Sequence, residues 1–286
     1  MMNQCKKYVL RVCHSIMRQS MLQSTKQRGG IDLFNKLRAI RPNISNQYTS
    51  FLVPIADRYL TTKLRCQHVF QVRLAQKTIA MIRAENGSAN LVKIADIGDS
   101  SGTHTQYLRA LDWRPDLLEI KSVNLDPVAI EKIRSKGLDA LLCRAENLQS
   151  DCDFSADIFF AFEVIEHLID PIRFMREIAL RTGCRYFGVT VPLVHKSRMG
   201  LQFIRHDLKT NAVAEDTHVF ELSPEDWKLL FKFSGWKVTH EDLYYQYPKY
   251  HPLSFSRPLW RRLDVDGFYG VVLERDLSCS DQYKSW

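Results

Sequence analysis

Apolar positions follow two different spacings along the chain, and the spacings alternate from residue 91 onward. Residues 91–97 form a short apolar run of the kind found in buried strands. Strand-like and amphipathic helical patterns then take turns, with strands expected at 119–125, 139–143, 156–162 and 185–191 and helices at 103–111, 127–136 and 171–182. This alternation predicts an α/β fold with a mostly parallel sheet covered by helices on both faces.

The C-terminal part of the chain predicts a different end to the sheet. Ser223-Pro224-Glu225-Asp226 is a helix start, in which serine caps the helix, proline occupies its first turn and the aspartate closes a capping box. Two further strands are expected at about 236–245 and 268–274, joined by a Pro- and aromatic-rich insertion at 247–266. We therefore expect the sheet to finish in an antiparallel pair.

Charge divides the chain into two parts. Residues 1–41 contain nine basic residues and one acid, which accounts for the whole net charge of +8 and leaves the remainder formally neutral. We interpret residues 1–60 as a basic N-terminal arm and connector. The arm's apolar residues recur at helical spacing, so it is either an amphipathic helix for a membrane surface or a partner, or a poorly ordered tail.

Residues 61–286 are then expected to form the main domain, with one helix over 64–85 before the first strand and a long insertion at 192–222 over the substrate. The seven cysteines are odd in number and never paired as Cys-x-x-Cys, so neither a disulfide framework nor a zinc site is indicated. Basic residues interrupt the apolar stretch at the N-terminus, which does not fit a signal peptide. We expect a cytoplasmic protein, or one at the periphery of a membrane.

A turn rich in small residues follows the first predicted strand. The sequence Asp96-Ile-Gly98-Asp99-Ser100-Ser101-Gly102 lets a ligand approach the backbone at the start of a helix. A dinucleotide fingerprint would place glycines at 98, 100 and 103, and only the first of these three positions is a glycine. The second strand ends at Asp126, which can accept hydrogen bonds from both hydroxyls of a ribose or cap the next helix.

Four motifs in this order resemble those of the class I S-adenosylmethionine-dependent methyltransferases, over roughly residues 64–275. They are 95–102 (ADIGDSSG), 124–127 (NLDP), 145–148 (AENL) and 157–168 (DIFFAFEVIEHL). The resemblance implies a Rossmann-like, seven-stranded sheet with S-adenosyl-L-methionine across the strand ends. It implies that the glycine turn lies beside the amino-acid part of the cofactor, Asp126 at the ribose and residues 145–146 at the adenine.

The residues assigned to the cofactor are Asp96, Gly98, Asp99, Gly102, Asp126, Ala145, Glu146 and Glu163. Two positions depart from the family pattern. Ser100 stands where a glycine is usual, and Arg144 stands where an aspartate often bonds the adenine amino group. The second departure leaves adenine recognition to Glu146 or to backbone groups.

A cluster of acids and histidines is expected where the fourth strand ends. The sequence Glu163-Val-Ile-Glu166-His167 follows that strand, and His218 returns 51 residues later. Two carboxylates and two imidazoles suit a divalent cation such as Mg²⁺, with Glu163, Glu166, His167 and His218 as ligands. Ubiquinone-pathway O-methyltransferases and small-RNA 2′-O-methyltransferases look similar here. Two alternatives need no metal: His167 or His218 is the general base beside Glu166, or the cluster is structural.

The sequence therefore predicts an S-adenosylmethionine-dependent methyltransferase that O-methylates a small metabolite, a glycan or a lipid-linked intermediate. An RNA 2′-O-methyltransferase is an alternative, which the basic arm favours and the neutral remainder disfavours. A catalytically silent protein that binds the cofactor or a partner is another, motivated by Ser100 and Arg144. A membrane surface is the expected partner of residues 1–41.

Overall fold

The computed structural model describes residues 2–44, 58–148, 155–199, 218–263 and 265–283. Within these residues a seven-stranded sheet is formed by β1 (Val92–Ile97), β2 (Leu118–Asn124), β3 (Asp139–Leu142), β4 (Ile158–Phe162), β5 (Tyr186–Leu193), β8 (Trp236–Tyr245) and β9 (Gly267–Arg275). Its order is β3-β2-β1-β4-β5-β9-β8. The first five strands are parallel, and β9 runs antiparallel to both β5 and β8. The predicted parallel sheet with a final antiparallel pair is confirmed.

Three of the helices begin at caps that the sequence provides. The helices are α1 (Met2–Gln27), α2 (Ile31–Ile40), α3 (Arg58–Asn86), α4 (Thr103–Leu111), α5 (Pro127–Arg134), α6 (Pro171–Arg181), α7 (Pro224–Phe233) and α8 (Arg257–Leu263). Side chains of Asp126, Asp170 and Ser223 each accept a hydrogen bond from a backbone amide in the first turn of α5, α6 and α7, and each is followed by proline. Helix α3 begins six residues before the predicted start, because its helical pattern continues into Arg58–Lys63.

The sheet separates two apolar layers, since successive strand residues point to opposite faces. Phe160 of β4 packs in the layer formed by α1 to α4, whereas its neighbour Phe159 packs in the layer that contains α6 and α7. Both side chains are fully buried. The carboxyl ends of the five parallel strands are thereby left free to carry a site at one edge of the sheet.

The predicted arm is built into the domain over residues 17–41. Met17 and Met21 of α1 are buried among the residues of the α1–α4 layer. Ser20 Oγ lies 2.9 Å from Ser256 Oγ, and Thr25 Oγ1 lies 3.0 Å from the Tyr244 hydroxyl. The interpretation as a poorly ordered tail is therefore wrong for this part, because its apolar side chains complete one core layer. The predicted connector falls mostly on 45–57, outside the described residues.

The two insertions differ in what they contribute. The one at 247–266 contains a 3₁₀ turn (Pro252–Ser256) and α8, and its Tyr247 and Trp260 are buried in the core. The one at 192–222 contains the short antiparallel pair β6 (Arg198–Met199) and β7 (Phe220–Glu221), and its residues 200–217 lie outside the described part. Among the described helices, none has the length and apolar character needed to cross a membrane.

Candidate active site

The turn after β1 depends on glycine for two reasons. Gly98 and Gly102 have φ values of +83° and +68°, in the left-handed region where a side chain is strained. A Cβ atom on Gly98 would also lie 2.5 Å from Cγ2 of Val164. The turns that follow β1 and β4 are therefore in direct contact, which places the predicted cofactor turn beside the predicted catalytic segment.

Side chains hold this turn in shape. The Asp99 carboxylate accepts hydrogen bonds from the Thr103 amide at 3.0 Å and from the Ser122 hydroxyl at 3.2 Å. Arg41, at the end of α2, donates to Ser101 Oγ at 3.2 Å and also contacts Thr103 Oγ1. Asp99 thus stabilises the turn through its side chain, and its contact with a cofactor stays a prediction.

Asn124 connects three strand ends at the edge of the sheet. Its side chain donates to the Asp99 carbonyl at 3.4 Å and accepts from the Asp126 amide at 2.9 Å, while its carbonyl accepts from the Cys143 amide at 2.9 Å. Asp126 is half-buried and caps α5 by accepting from the Val128 amide at 2.9 Å. The capping interpretation of Asp126 is confirmed, and its contact with a ribose stays a prediction. Sequence reasoning missed Asn124, whose only signal is its position at the end of β2.

The predicted adenine segment lies on a 3₁₀ turn, Ala145–Asn147, that follows β3. Ala145 is buried at this turn. The side chain of Glu146 lies outside the described residues.

A buried polar cluster lies under the cofactor turn. Asp96 Oδ2 is 3.2 Å from His104 Nδ1, and His104 Nε2 is 3.0 Å from Gln71 Oε1. Gln71 in turn donates to Thr190 Oγ1 at 3.3 Å, so the cluster joins the ends of β1 and β5 to α3 and α4. Sequence reasoning found Asp96 but missed His104 and Gln71, because only the fold brings α3 over this edge. With Asp99, the Asp96–His104 pair also has spacing compatible with a metal ion.

Burial and charge perturb both members of this pair. Burial raises the pKa of Asp96 to about 6, against the opposing effect of His104. Burial alone would lower the pKa of His104, but the adjacent Asp96 carboxylate raises it by more. Both shifts increase the number of protons that the folded state binds.

This sign leads to a prediction about stability. Asp96 contributes stability below its ordinary pKa of 3.8 that is lost as pH rises through about 6. We expect Asp96→Asn to remove this pH-dependent loss. As pH rises from about 4 to about 7, the unfolding free energy of the variant should therefore increase by about 2–3 kcal/mol relative to that of wild type. Urea unfolding at several pH values measures it. The exposed Asp139→Asn variant is the control, and equal pH slopes for Asp96→Asn and wild type would contradict the shift.

The acids and histidines predicted for chemistry meet after β4. Glu166 and His167 lie on a 3₁₀ turn (Ile165–His167), and the Val219 amide donates to the Glu166 carbonyl at 2.7 Å, which brings His218 alongside. The rings of His167 and His218 are 4.7 Å apart, and one ligand atom from each of Glu166, His167 and His218 lies within 4.8 Å of the others.

Glu163 is not part of this group of three, which corrects the four-ligand prediction. Its backbone adopts φ +55°, a left-handed conformation that is strained for a residue with a side chain. The carboxylate of Glu163 is still close enough for its charge to raise the pKa of Glu166.

Glu221 is a member of the site that sequence reasoning missed. Its buried carboxylate lies 2.9 Å from His218 Nδ1 and forms an ion pair with Arg198. Burial raises the pKa of Glu221, but the hydrogen bonds from His218 and Arg198 outweigh burial and lower it. The sequence signal was the spacing His218-x-x-Glu221. An ionised Glu221 fixes the ring of His218 and directs Nε2 away from itself.

Glu166 has the most unfavourable environment among these carboxyl groups. Its side chain is fully buried, and neither carboxylate oxygen has a hydrogen-bond partner. Burial raises its pKa well above the ordinary value, and the nearby charges of Glu163 and Glu221 raise it further. Such a carboxyl group needs a proton or a cation to be stable in this position.

Comparisons with known proteins agree with this geometry. A family model described as a methyltransferase domain matches residues 95–182, which include the cofactor turn and the Glu166-His167 turn. No curated protein sequence matches the chain.

Solved structures show the same fold at low sequence identity. The CurJ carbon methyltransferase is 14% identical with a TM-score of 0.54, over 92% of this chain and 71% of that one. A candidate sarcosine dimethylglycine methyltransferase from Galdieria sulphuraria is 16% identical with a TM-score of 0.50, over 77% and 88%. The cyclase SpnF, 11% identical with a TM-score of 0.50 over 89% and 97%, also has this fold, so the fold alone does not fix the reaction. Residues 95–182 thus match a methyltransferase domain, and the sheet that contains them has the fold of the class I S-adenosylmethionine-dependent methyltransferases.

Proposed function

We propose that the protein transfers the methyl group of S-adenosylmethionine to a hydroxyl oxygen of a small metabolite, a glycan or a lipid-linked intermediate. The observation that carries this proposal is the group Glu166, His167 and His218, which lies next to the cofactor turn through the contact of Gly98 with Val164. Methyl transfer is an in-line displacement, so the protein has to align the acceptor and assist the loss of its proton. Imidazole and carboxylate groups perform that task for a hydroxyl.

Different residues are assigned to different parts of the cofactor. Gly98 and Gly102 leave the backbone open to close approach, and Asp126 offers a carboxylate to the ribose hydroxyls. The Oδ1 atom of buried Asp96, which has no hydrogen-bond partner, fits the positive ammonium group at the amino-acid end. Ala145 and Glu146 are then left for the adenine.

A divalent cation fits the catalytic group. Glu166 supplies buried oxygens without hydrogen-bond partners, and His167 and His218 supply imidazole nitrogens within 4.8 Å of an oxygen of Glu166. Glu221 holds the other nitrogen of His218, as carboxylates commonly do behind metal-binding histidines. A bound cation would polarise the acceptor hydroxyl and favour its ionisation. We therefore assign Glu166, His167 and His218, without Glu163, as its ligands.

One observation favours a mechanism without a metal. The Glu221–His218 pair has the arrangement of a carboxylate that orients a histidine base. In that case Glu166 is protonated, consistent with the raised pKa that burial gives it. Both mechanisms need His218, and they differ in what Glu166 does.

Asp126 gives a test of cofactor binding that does not depend on the acceptor. We expect Asp126→Ala to weaken binding of S-adenosylhomocysteine by about 1.5–3 kcal/mol, the contribution of hydrogen bonds to a charged group. Because Asp126 also caps α5, the variant should lose about 1 kcal/mol of stability as well. Titration calorimetry and thermal unfolding measure the two effects.

Asp170 provides the matched control, since it caps α6 in the same way. Asp170→Ala should lose similar stability and keep its affinity for S-adenosylhomocysteine. Unchanged affinity in a folded Asp126→Ala variant would exclude Asp126 from the ribose site.

A further inference from the structure

Two adjoining helices of the domain carry basic residues and no acids. Within α1 these are Lys6, Lys7, Arg11, Arg18 and Lys26, and within α8 they are Arg257, Arg261 and Arg262. The helices are neighbours, because α1 packs against both α8 and the turn Pro252–Ser256. The ring of Tyr59 lies between them, 4.7 Å from His14 and 6.2 Å from Trp260. The two helices that carry these charges therefore lie side by side.

Apolar side chains are exposed in the same region. Tyr8, Val9 and Val12 of α1 are 71%, 52% and 41% exposed, and Phe255, just before α8, is 60% exposed. The second half of α1 behaves differently, since Met17 and Met21 are buried in the core. One half of the helix thus anchors it in the domain, while the other half presents apolar groups to the solvent beside basic residues.

We propose that this region, which we call the basic–apolar surface (Tyr8, Val9, Arg11, Val12, Phe255, Arg257 and Arg261), docks on an anionic membrane surface. Basic residues attract the headgroups of anionic lipids, and exposed aliphatic and aromatic side chains insert at the boundary of the acyl chains. Phosphates of a nucleic acid would satisfy the basic residues but leave Val9 and Val12 in water. The combination of both features favours lipid.

The local acids do not cancel this charge. Asp266 pairs with Arg261 at 3.3 Å and with His195 at 3.1 Å, so Arg261 is partly neutralised. Arg257 is exposed and lies 5.9 Å from the ring of Tyr247, and Arg11 is exposed on α1. Arg11 and Arg257 are therefore the charges whose removal should matter most.

Vesicle sedimentation of the full chain tests the proposal. We expect binding to vesicles of equal parts phosphatidylglycerol and phosphatidylcholine, no binding to pure phosphatidylcholine, and release at high salt. The Arg11→Glu/Arg257→Glu variant should bind the anionic vesicles at least about 30-fold more weakly, since each basic residue near such a surface contributes about fivefold. Val9→Ser/Val12→Ser should also weaken binding, without changing its dependence on salt.

The control variant is Leu229→Ser/Lys232→Glu, which removes an exposed apolar residue and an exposed charge from α7. It should bind vesicles like wild type. Thermal unfolding and S-adenosylhomocysteine binding of every variant confirm that the domain is intact. Equal binding of wild type to neutral and anionic vesicles, retention of RNA without retention on vesicles, or concentration-dependent dimerisation that the Val9→Ser/Val12→Ser variant abolishes would each overturn the proposal.

Discussion

The His218→Gln variant should bind S-adenosylhomocysteine as wild type does and lose about 10²–10⁴-fold in kcat, the range that a positioned proton acceptor contributes. His218 is held by Glu221 on one nitrogen and lies against His167, so its remaining nitrogen faces the acidic turn after β4. The cofactor turn and Asp126 belong to other strand ends, so cofactor binding should survive. Transfer of a labelled methyl group from S-adenosylmethionine to hydroxyl acceptors from lipid and glycan fractions measures the loss.

Two further variants show whether the loss reflects chemistry. Glu221→Gln should reduce kcat by about 10–100-fold, because Glu221 acts only by orienting His218. His240→Gln, on β8 and away from the cluster, should leave kcat unchanged. A fully active His218→Gln variant would remove this residue from both mechanisms considered for the site.

The predictable parts of the fold are those with a local cause. Strands β4 and β5 read as apolar runs because every residue in them is buried, and three helices begin at the caps Asp126, Asp170 and Ser223. The number of strands came from the family resemblance, and the order of the sheet was not predicted, since no local pattern states which strands are neighbours.

For the arm, the helical alternative is confirmed by α1, but its packing in the core was not predicted. Met17 and Met21 stand four residues apart, as expected of one face of a helix, but the sequence does not show what that face contacts. Their partners lie on α3 and on the last strands, about 40 residues or more away in sequence. Arg11 and Lys26 of the arm are nevertheless exposed on α1, whereas Arg41 is buried beside the cofactor turn.

The catalytic group illustrates the same limit within a motif. Glu163 and Glu166 look equivalent in sequence, yet the positive φ of Glu163 turns the chain between them. Glu221 has only its spacing from His218 as a sequence signal, and β7 brings its carboxylate to that ring. Spacing within the motif therefore predicted where the catalytic group lies, and the folded backbone determined which residues come together in it.

Glu166→Gln should separate the metal from the metal-free mechanism, because it replaces the carboxylate of the group of three, whose oxygens are buried without hydrogen bonds. If Glu166, His167 and His218 bind a cation, wild type should bind Mn²⁺ in calorimetry, and Glu166→Gln should weaken that binding more than about 100-fold, beyond the usual cost of losing an outer-shell partner.

Glu163→Gln is the matched comparison for that measurement. It alters the same residue type three positions earlier, outside the group of three, and should retain most of the Mn²⁺ affinity. Methyl transfer should stop with a chelator and return with Mg²⁺ or Mn²⁺. Activity that resists the chelator, together with a nearly active Glu166→Gln variant, would contradict the metal site. The Glu221–His218 pair would then act as the base, with Glu166 a neutral acid that packs beneath it.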